Sequence, residues 1–386
     1  MKRLVILQAI VIMLILMAFG SEQAVAAKLV VDDDSVECPT AGFATIGAAL
    51  AAASSNDTIE VCPGTYFEAV VIILNGITLK GKPAPGAILD GTGQLPADNC
   101  ITIAPGVSGV TIKDLEIQNC NNRGIRGPGT VALPLSHIKL KDLDIHAVSQ
   151  VAGDGHAIDF VHAAHVKIKD VAVAVGPLAG FFAEAIRLQS VSPVTVDNVH
   201  IVGGFVGVNF ACSDPCGDPV PEPPTNGIIK HSTISGTTDN GVLLANTTHA
   251  IIDGNVIAGA GFAGIQVGFR AVNPVTGVQI FNNVVTGTVL APIGHGIALA
   301  RGSSGSTVKN NIVTGNGTDG IFAGTIVGTG GSTGGNTIDH NVSNGNTGFG
   351  YVDDGTGFAV NVFFQNECKA NTAGGSDPTG LCVPQT

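Results

Sequence analysis

Five side chains near the middle of the chain have types and spacings that could do acid–base or anion chemistry: Arg126, His156, Asp159, Glu184 and Arg187. The step in sequence from Asp159 to Arg187 equals the step from His156 to Glu184. Paired carboxylates can serve as acid and base, and a guanidinium can stabilise negative charge developing beside it. The stretch "GDGHAIDFVHAAHVKIKD" from Gly153 adds Asp154, His162, His165 and Asp170, in a chain that is only 12% charged. Whether these residues meet depends on the elements that carry them.

Those elements repeat. "VTIKDLEI" from Val110, "IKLKDLDI" from Ile138, "VKIKDVAV" from Val166 and "VTVDNVHI" from Val194 start at 28-residue intervals. "AIIDGNVI" from Ala250, "VQIFNNVV" from Val278 and "STVKNNIV" from Ser306 resume the interval after a Pro-rich insert, "CSDPCGDPVPEPP". A second motif interleaves: small, apolar, variable, apolar. It reads Ala157-Ile158-Asp159-Phe160, Ala185-Ile186-Arg187-Leu188 and Gly207-Val208-Asn209-Phe210, and continues to Gly320-Ile321-Phe322-Ala323. Such alternation marks strands, and the Gly and Asn between the runs mark turns. A period of this size indicates a solenoid, and the absence of helical periodicity removes helical and leucine-rich repeats. Propeller blades need about 40 or more residues. The pattern predicts an all-β parallel β-helix, each coil about 4.8 Å above the last. "FATIGAALAAA" from Phe43 predicts a short N-terminal helix capping the first coil.

In that geometry the variable position forms an outward ladder: Arg126, Asp159, Arg187, Asn209, Leu243, Gln266, Ala298, Phe322. His156 and Glu184 precede it on successive coils. Two readings follow. Alternating charge keeps a solvated sheet face soluble and fixes its register. Alternatively, the face is a groove wall holding an extended polymer, with His156, Asp159, Glu184, Arg187 and Arg126 as the reactive cluster. His162 and His165 are expected at a turn. A second column runs Lys113, Lys141, Lys169, Asp197 beside Asp114, Asp142, Asp170, Asn198, with Asn282 and Asn310 further on. Asp and Asn suit tight turns, and the adjacent lysines offset the stacked carboxylates. Calcium on these aspartates is the sharper alternative.

Lys2 and Arg3, an apolar run from Leu4 to Phe19 and Ala24-Val25-Ala26 predict a secretory signal peptide over 1–26. Export to the outside or the periplasm follows, without stable membrane insertion once the leader is removed. The net charge is −12, and loss of Lys2, Arg3 and Glu22 leaves the chain more negative. That argues against nucleic acid as a partner, while admitting neutral sugars or anionic ones held through a cation. Trp is absent and Tyr numbers two, so stacking platforms for sugar are scarce. The even set of eight cysteines suggests disulfides, paired by proximity as Cys38 with Cys62, Cys100 with Cys120, Cys212 with Cys216 and Cys368 with Cys382. The expected layout is a cap and first coils over 27–109, further coils over 110–365, and a disulfide-closed tail over 366–386.

"DTIEVCPGTYFE", the Ala-rich helix before it, "GITLKG" at Gly76 and the "NNIVTG" turns resemble right-handed parallel β-helix proteins of the pectin lyase-like superfamily. The resemblance covers nearly all of residues 28–365. It implies a right-handed solenoid, as monomer or trimer. The superfamily holds polysaccharide lyases, polygalacturonases, uronan epimerases, tailspikes and exported proteins without known reaction. Its pectate lyases place calcium between protein and uronate, so calcium is an optional ligand and no cofactor is required. The resemblance extends to fold more than to reaction. "GHGIAL" from Gly294 matches the Gly-His-Gly of polygalacturonase-like hydrolases, but the preceding Asp pair and following Arg-x-Lys are missing, which makes His295 a turn residue. The Asp-Pro-His of alginate epimerases is also missing. The reading that results is an exported β-helix binding extracellular or envelope polysaccharide along one face. The alternative is a lyase or glycoside hydrolase acting there.

Overall fold

The computed structural model describes residues 26–384, apart from 83–85, 96–98, 149–154, 177–182, 212–223, 270–274, 291–292, 301, 326–333 and 356–358. Residues 1–25 of the expected leader, Asp154, Cys212 and Cys216 therefore lie outside the described residues. The chain coils into a solenoid of two long parallel sheets, one of 22 described strands and one of 13.

Inward positions stack in register from coil to coil. On the first sheet, Ile112, Leu140, Ile168, Val196, Ile229, Ile252, Ile280, Val308 and Ile338 are successive partners. On the second, the stack runs Ile101, Ile125, Ile158, Ile186, Val208, Val242, Ile265, Ile297, Ile321, Tyr351. Every one of these side chains is buried, and they join a single core running the length of the solenoid. The register passes the Pro-rich insert: Val196, before it, pairs with Ile229, after it, and Ile229 with Ile252. The insert enlarges one coil without shifting the inward set, because a one-residue slip would turn every side chain to the opposite face.

The helix spans Ile46–Ala52. Thr45 caps it by accepting from the Ala48 N–H. Glu68, reaching from the first coil, accepts the Ile46 and Gly47 N–H groups with its two oxygens at 2.6 and 2.8 Å. The helix buries Ile46, Ala49 and Leu50 against the first strands. Helix and coil are thus tied by both packing and the orphan donors of the helix start.

The first sheet bends at one residue per coil. Asp114, Asp142, Asp170, Asn198, His231, Asn282, Asn310 and His340 all take φ between 50° and 56° there. Left-handed backbone at one residue per coil explains why Asp, Asn and Gly recur at this corner. Lys113, Lys141 and Lys169 each lie 2.7–3.7 Å from the aspartate next in sequence. The Asn198 amide donates to Asp170 at 2.8 Å and, as the main influence, holds that carboxyl below its ordinary range.

The residue after the corner points inward. It is Leu115, Leu143, Val171 and Val199 in the early coils, then Ser232, Asn255, Asn283, Asn311, Asn341 and Asn366. These asparagines are buried and hydrogen-bond from coil to coil. Asn311 Nδ2 donates to Asn341 Oδ1 and to the Ile280 carbonyl, each at 2.9 Å, and Asn311 Oδ1 accepts both the backbone and side-chain N–H of Asn283. A buried amide is stable only when so satisfied.

Disulfides join Cys38 to Cys62, Cys100 to Cys120 and Cys368 to Cys382, as proximity suggested.

Candidate functional site

Four successive rungs of the second sheet build the cluster: Ile125–Pro128, Ile158–Ala164, Ile186–Val191 and Val208–Ala211. Their inward residues lock the register, so the outward residues Arg126, Asp159, Arg187 and Asn209 become direct lateral partners. The spacing of Asp159 and Arg187 is thereby one step of the ladder.

Asp159 is the centre. Its Oδ2 lies 2.8 Å from Arg123 Nε and 3.9 Å from Arg126 Nη1, and its Oδ1 lies 3.4 Å from Arg187 Nη1. Arg187 also donates from Nη2 to Gln189 at 2.9 Å and brings Nε to 3.8 Å from Glu184. Asn209 donates to the other Glu184 oxygen at 2.7 Å. Both carboxylates are therefore bound to a single guanidinium, and each has further partners.

His156 lies beneath this network, 3% exposed. Its Nδ1 accepts the Glu184 N–H at 3.2 Å, which leaves the ring proton on Nε2. Burial, above all, pushes its pKa down to about 3; Asp159 opposes the shift, and Arg123, Arg187 and Arg126 add to it. Among the described residues, the cluster around the neutral histidine thus holds three arginines, Arg123, Arg126 and Arg187, and two carboxylates, Asp159 and Glu184.

The solvated-ladder expectation needs correction. Asp159 is 1% exposed, and Asn209, Leu243, Gln266 and Ala298 in the same outward row are buried too. The face carries a second layer outside the sheet. Val206, Leu243 and Ala245 pack with Phe205 and Phe269, and Ala263, Ala298 and Ala300 pack with Phe262 and Phe322. Apolar side chains at the outward position of these later rungs pack with aromatic rings beside them, while at the charged end Asp159 is enclosed among three guanidinium groups. Arg126, at 30%, has the most exposed side chain of the three arginines.

Arg123 escaped the pattern because it precedes its strand and belongs to no alternation. Its signal was the "RGIR" pair, which puts a second arginine just ahead of Arg126. His162 and His165 take φ of 45° and 55°, consistent with a corner, and His165 stacks on His137 at 4.6 Å. His295 is not a turn residue. It opens the strand His295–Ala300, is buried, stacks on Phe322 and holds Nδ1 3.3 Å from Asp319. The apolar outer layer draws it in. Two surface recesses, of about 370 and 430 Å³, lie away from the cluster; half of the first's lining is acidic, from Asp114, Glu116, Asp142 and Asp144. No described helix is long and apolar enough to cross a membrane.

A family profile described as "right handed beta helix region" matches residues 224–383. No curated protein sequence matches the chain. Among solved structures, the chain is similar to the A-module of Azotobacter vinelandii mannuronan C-5 epimerase AlgE6, with TM-score 0.66 and 15% identity over 88% of this chain and 94% of that one. The AlgE4 A-module from the same organism gives 0.60 and 12%, over 89% and 92%. A mannuronic acid specific polysaccharide family 6 lyase from human gut microbiota gives 0.53 and 12%, over 89% and 86%. At these identities the likeness is one of fold: the chain is a right-handed parallel β-helix, as its repeats suggested.

Proposed function

We propose that this protein is an exported β-helix that binds acidic polysaccharide on the outer face of its second sheet, at the guanidinium cluster around Asp159. The observation that carries this reading is the gathering of three arginines within 4 Å of one carboxylate, in a protein of net charge −12. Arg126 is held only loosely, at 3.9 Å from Asp159, and is the group positioned to meet a uronate carboxylate. Guanidinium matches a carboxylate with paired donors. The mannuronan epimerases and mannuronic-acid lyase of like fold support a polyuronate as the class of ligand. Three disulfides support an oxidising compartment.

Binding fits the geometry better than catalysis does. Both Asp159 oxygens lie within ion-pair distance of arginines, and His156 uses its lone pair on a backbone N–H. A general base needs that lone pair or oxygen free to reach substrate. The lyase or hydrolase alternative draws only on the neighbours of like fold.

The test is titration calorimetry with polymannuronate, polygalacturonate and a neutral glucan, and parallel assays for reducing ends and unsaturated products. The expected result is salt-sensitive binding of the uronans, weakened about tenfold in Arg126→Ala, which is the loss of roughly one charge-assisted contact. No uronan binding, or binding indifferent to Arg126→Ala, overturns the proposal. Product formation that Arg187→Ala abolishes favours the enzyme.

A further inference from the structure

The first loop of the mature chain holds a carboxylate cluster that the polysaccharide reading does not use. One ligand oxygen from each of Asp32, Asp33, Asp34 and Glu37 lies within 4.8 Å of the others. Asp33, Asp34 and Glu37 are exposed, while Asp32 is 1% exposed. Among the described residues none of the four is paired with a lysine, arginine or histidine. The corner column is different: Asp114, Asp142 and Asp170 each have an adjacent lysine.

Acidic residues gather on many surfaces without purpose. Here a second observation points to a ligand. Asp32 Oδ2 accepts the Cys38 N–H at 2.6 Å, but Oδ1 is shut off from solvent and has no hydrogen-bond partner. A charged oxygen buried without a donor is among the costliest arrangements in a protein interior. The Asp32 carboxylate also brings one oxygen within 4.8 Å of an oxygen of each of the three others, and this crowding of like charge is unfavourable unless a cation completes it.

The donor set also suits one class of cation. Each aspartate gives one oxygen to a backbone N–H: Asp32 to Cys38, Asp33 to Thr65 at 3.2 Å, Asp34 to Val36 at 2.8 Å. Each keeps its other oxygen, and the Glu37 carboxylate is wholly available. The loop is fixed to the first coil at two points. The Cys38–Cys62 disulfide holds one end. At the other, the Asp33 carboxylate rests on Gly64, where a Cβ would collide with it. An all-oxygen set of three or four carboxylates, open to water on one side, fits calcium, which takes six to eight oxygens in flexible geometry. It offers no nitrogen or sulfur for zinc, and exposed arms lack the strict octahedron that magnesium requires.

We infer that Asp32, Asp33, Asp34 and Glu37 form a calcium site that staples the N-terminal loop to the first coil. Its affinity belongs with extracellular modules, roughly 10⁻⁴–10⁻³ M.

The full mature chain provides its own reporter. Trp is absent, and the two tyrosines are Tyr66 and Tyr351. Tyr66 donates its hydroxyl to the Cys62 carbonyl at 2.9 Å and lies 3.4 Å from that of Val31, next to Asp32. Tyr351 lies on one of the last rungs. Terbium chloride should give tyrosine-sensitised emission that calcium chloride displaces, with one saturable calcium site by calorimetry. Asp33→Asn with Asp34→Asn, both exposed and compatible with folding, should weaken calcium at least tenfold. Tyr66→Phe should abolish the emission and leave the calcium heat unchanged. Absence of saturable calcium heat up to about ten times the upper end of that affinity range, a titration indifferent to the double variant, or emission lost in Tyr351→Phe instead would each overturn the site.

Discussion

Acid should destabilise this protein's central coils through His156 at pH values above the ordinary carboxylate range. The ring is buried with a folded pKa of about 3, against an ordinary value of 6.5. The folded value lies below the unfolded one, so the unfolded chain takes the proton first. The stability that neutral His156 contributes is fully present above pH 6.5, declines as pH falls, and levels off below about pH 3. At pH 5 the difference is about 1.5 decades of protonation, or roughly 2 kcal/mol, and it approaches about 5 kcal/mol at the acid limit. The window between pH 6.5 and 5 lies above the ordinary carboxylate values, and several acids are held lower still. Asp170, through its bond from Asn198, and Asp339, through its bond from Lys309, are both held below an ordinary 3.8. Burial raises Glu60, but Lys28 and Lys82 outweigh it and leave the group below 4.5. These acids lose stability only at lower pH. The comparison is with His156→Asn, whose side-chain oxygen can accept the Glu184 N–H where Nδ1 does and does not titrate. Between pH 7 and pH 5 the stability gap between the two proteins, read from guanidinium midpoints, should narrow by about 2 kcal/mol, whatever fixed cost the smaller side chain carries. Proton NMR supplies the direct check, since the histidine signal missing from the variant should stay unshifted from pH 8 to 4. A His156 signal that titrates near 6.5, or equal pH dependence in both proteins, refutes the reasoning.

Asp159→Asn leaves three guanidinium groups around a neutral amide and should cost about 3–5 kcal/mol by urea denaturation. Arg126→Ala removes the most exposed arginine of the cluster and should change stability by no more than about 0.5 kcal/mol. Asn311→Ala removes the acceptor of the Asn283 backbone and side chain, and the donor to Ile280 and Asn341. It should cost about 3 kcal/mol and expose the Asn283 amide to hydrogen exchange. Replacing Cys368 and Cys382 by serine should lose about 3 kcal/mol. The faster exchange should be confined to the last coils, because solenoid contacts run only between neighbours; spread to the N-terminal helix would contradict that.

The coil was legible because its apolar positions recur. Ile158 and Ile186, one repeat apart, pair as the alternation requires, and the Ala-rich helix and three cysteine pairs follow from equally local signals. The ladder Arg126, Asp159, Arg187 was legible for the same reason. Its burial was not, because accessibility of an outward position depends on what folds over it. A hint existed: the row turns apolar at Leu243 and Ala298, which a bare face would not favour. Arg123 and Asp319, the acid beside His295, lie outside the strands, where periodicity carries no information. The orphaned oxygen of Asp32 depends on one loop's path, although "VDDD" itself announces the charge.

The two halves of the solenoid solve one problem differently, and this bears on where function can reside. At the corner of the first sheet, a left-handed residue interrupts the ladder and leaves backbone groups to be satisfied. Early coils keep long strands through it, Thr111–Gln118, Lys139–His146, Val166–Val175 and Val194–Gly203, with Leu or Val packed inside. Later coils break the strand in two, as in Ile251–Asp253 and Val256–Ala258, and a buried asparagine supplies the missing bonds. The change falls near Ser232, just after the Pro-rich insert, and the family profile covers this asparagine-cornered half. Arg123, Arg126, His156, Asp159, Glu184 and Arg187 all lie before it. The matched half thus reports how the coil is held together, while the charged cluster belongs to coils whose corners are held by apolar packing. An asparagine ladder joins each coil to its neighbours by directed bonds, whereas Leu115, Leu143, Val171 and Val199 specify only volume. Substitutions that alter the outward face should therefore be better tolerated in the early coils, where the interior imposes fewer directional demands on the rungs that carry Asp159.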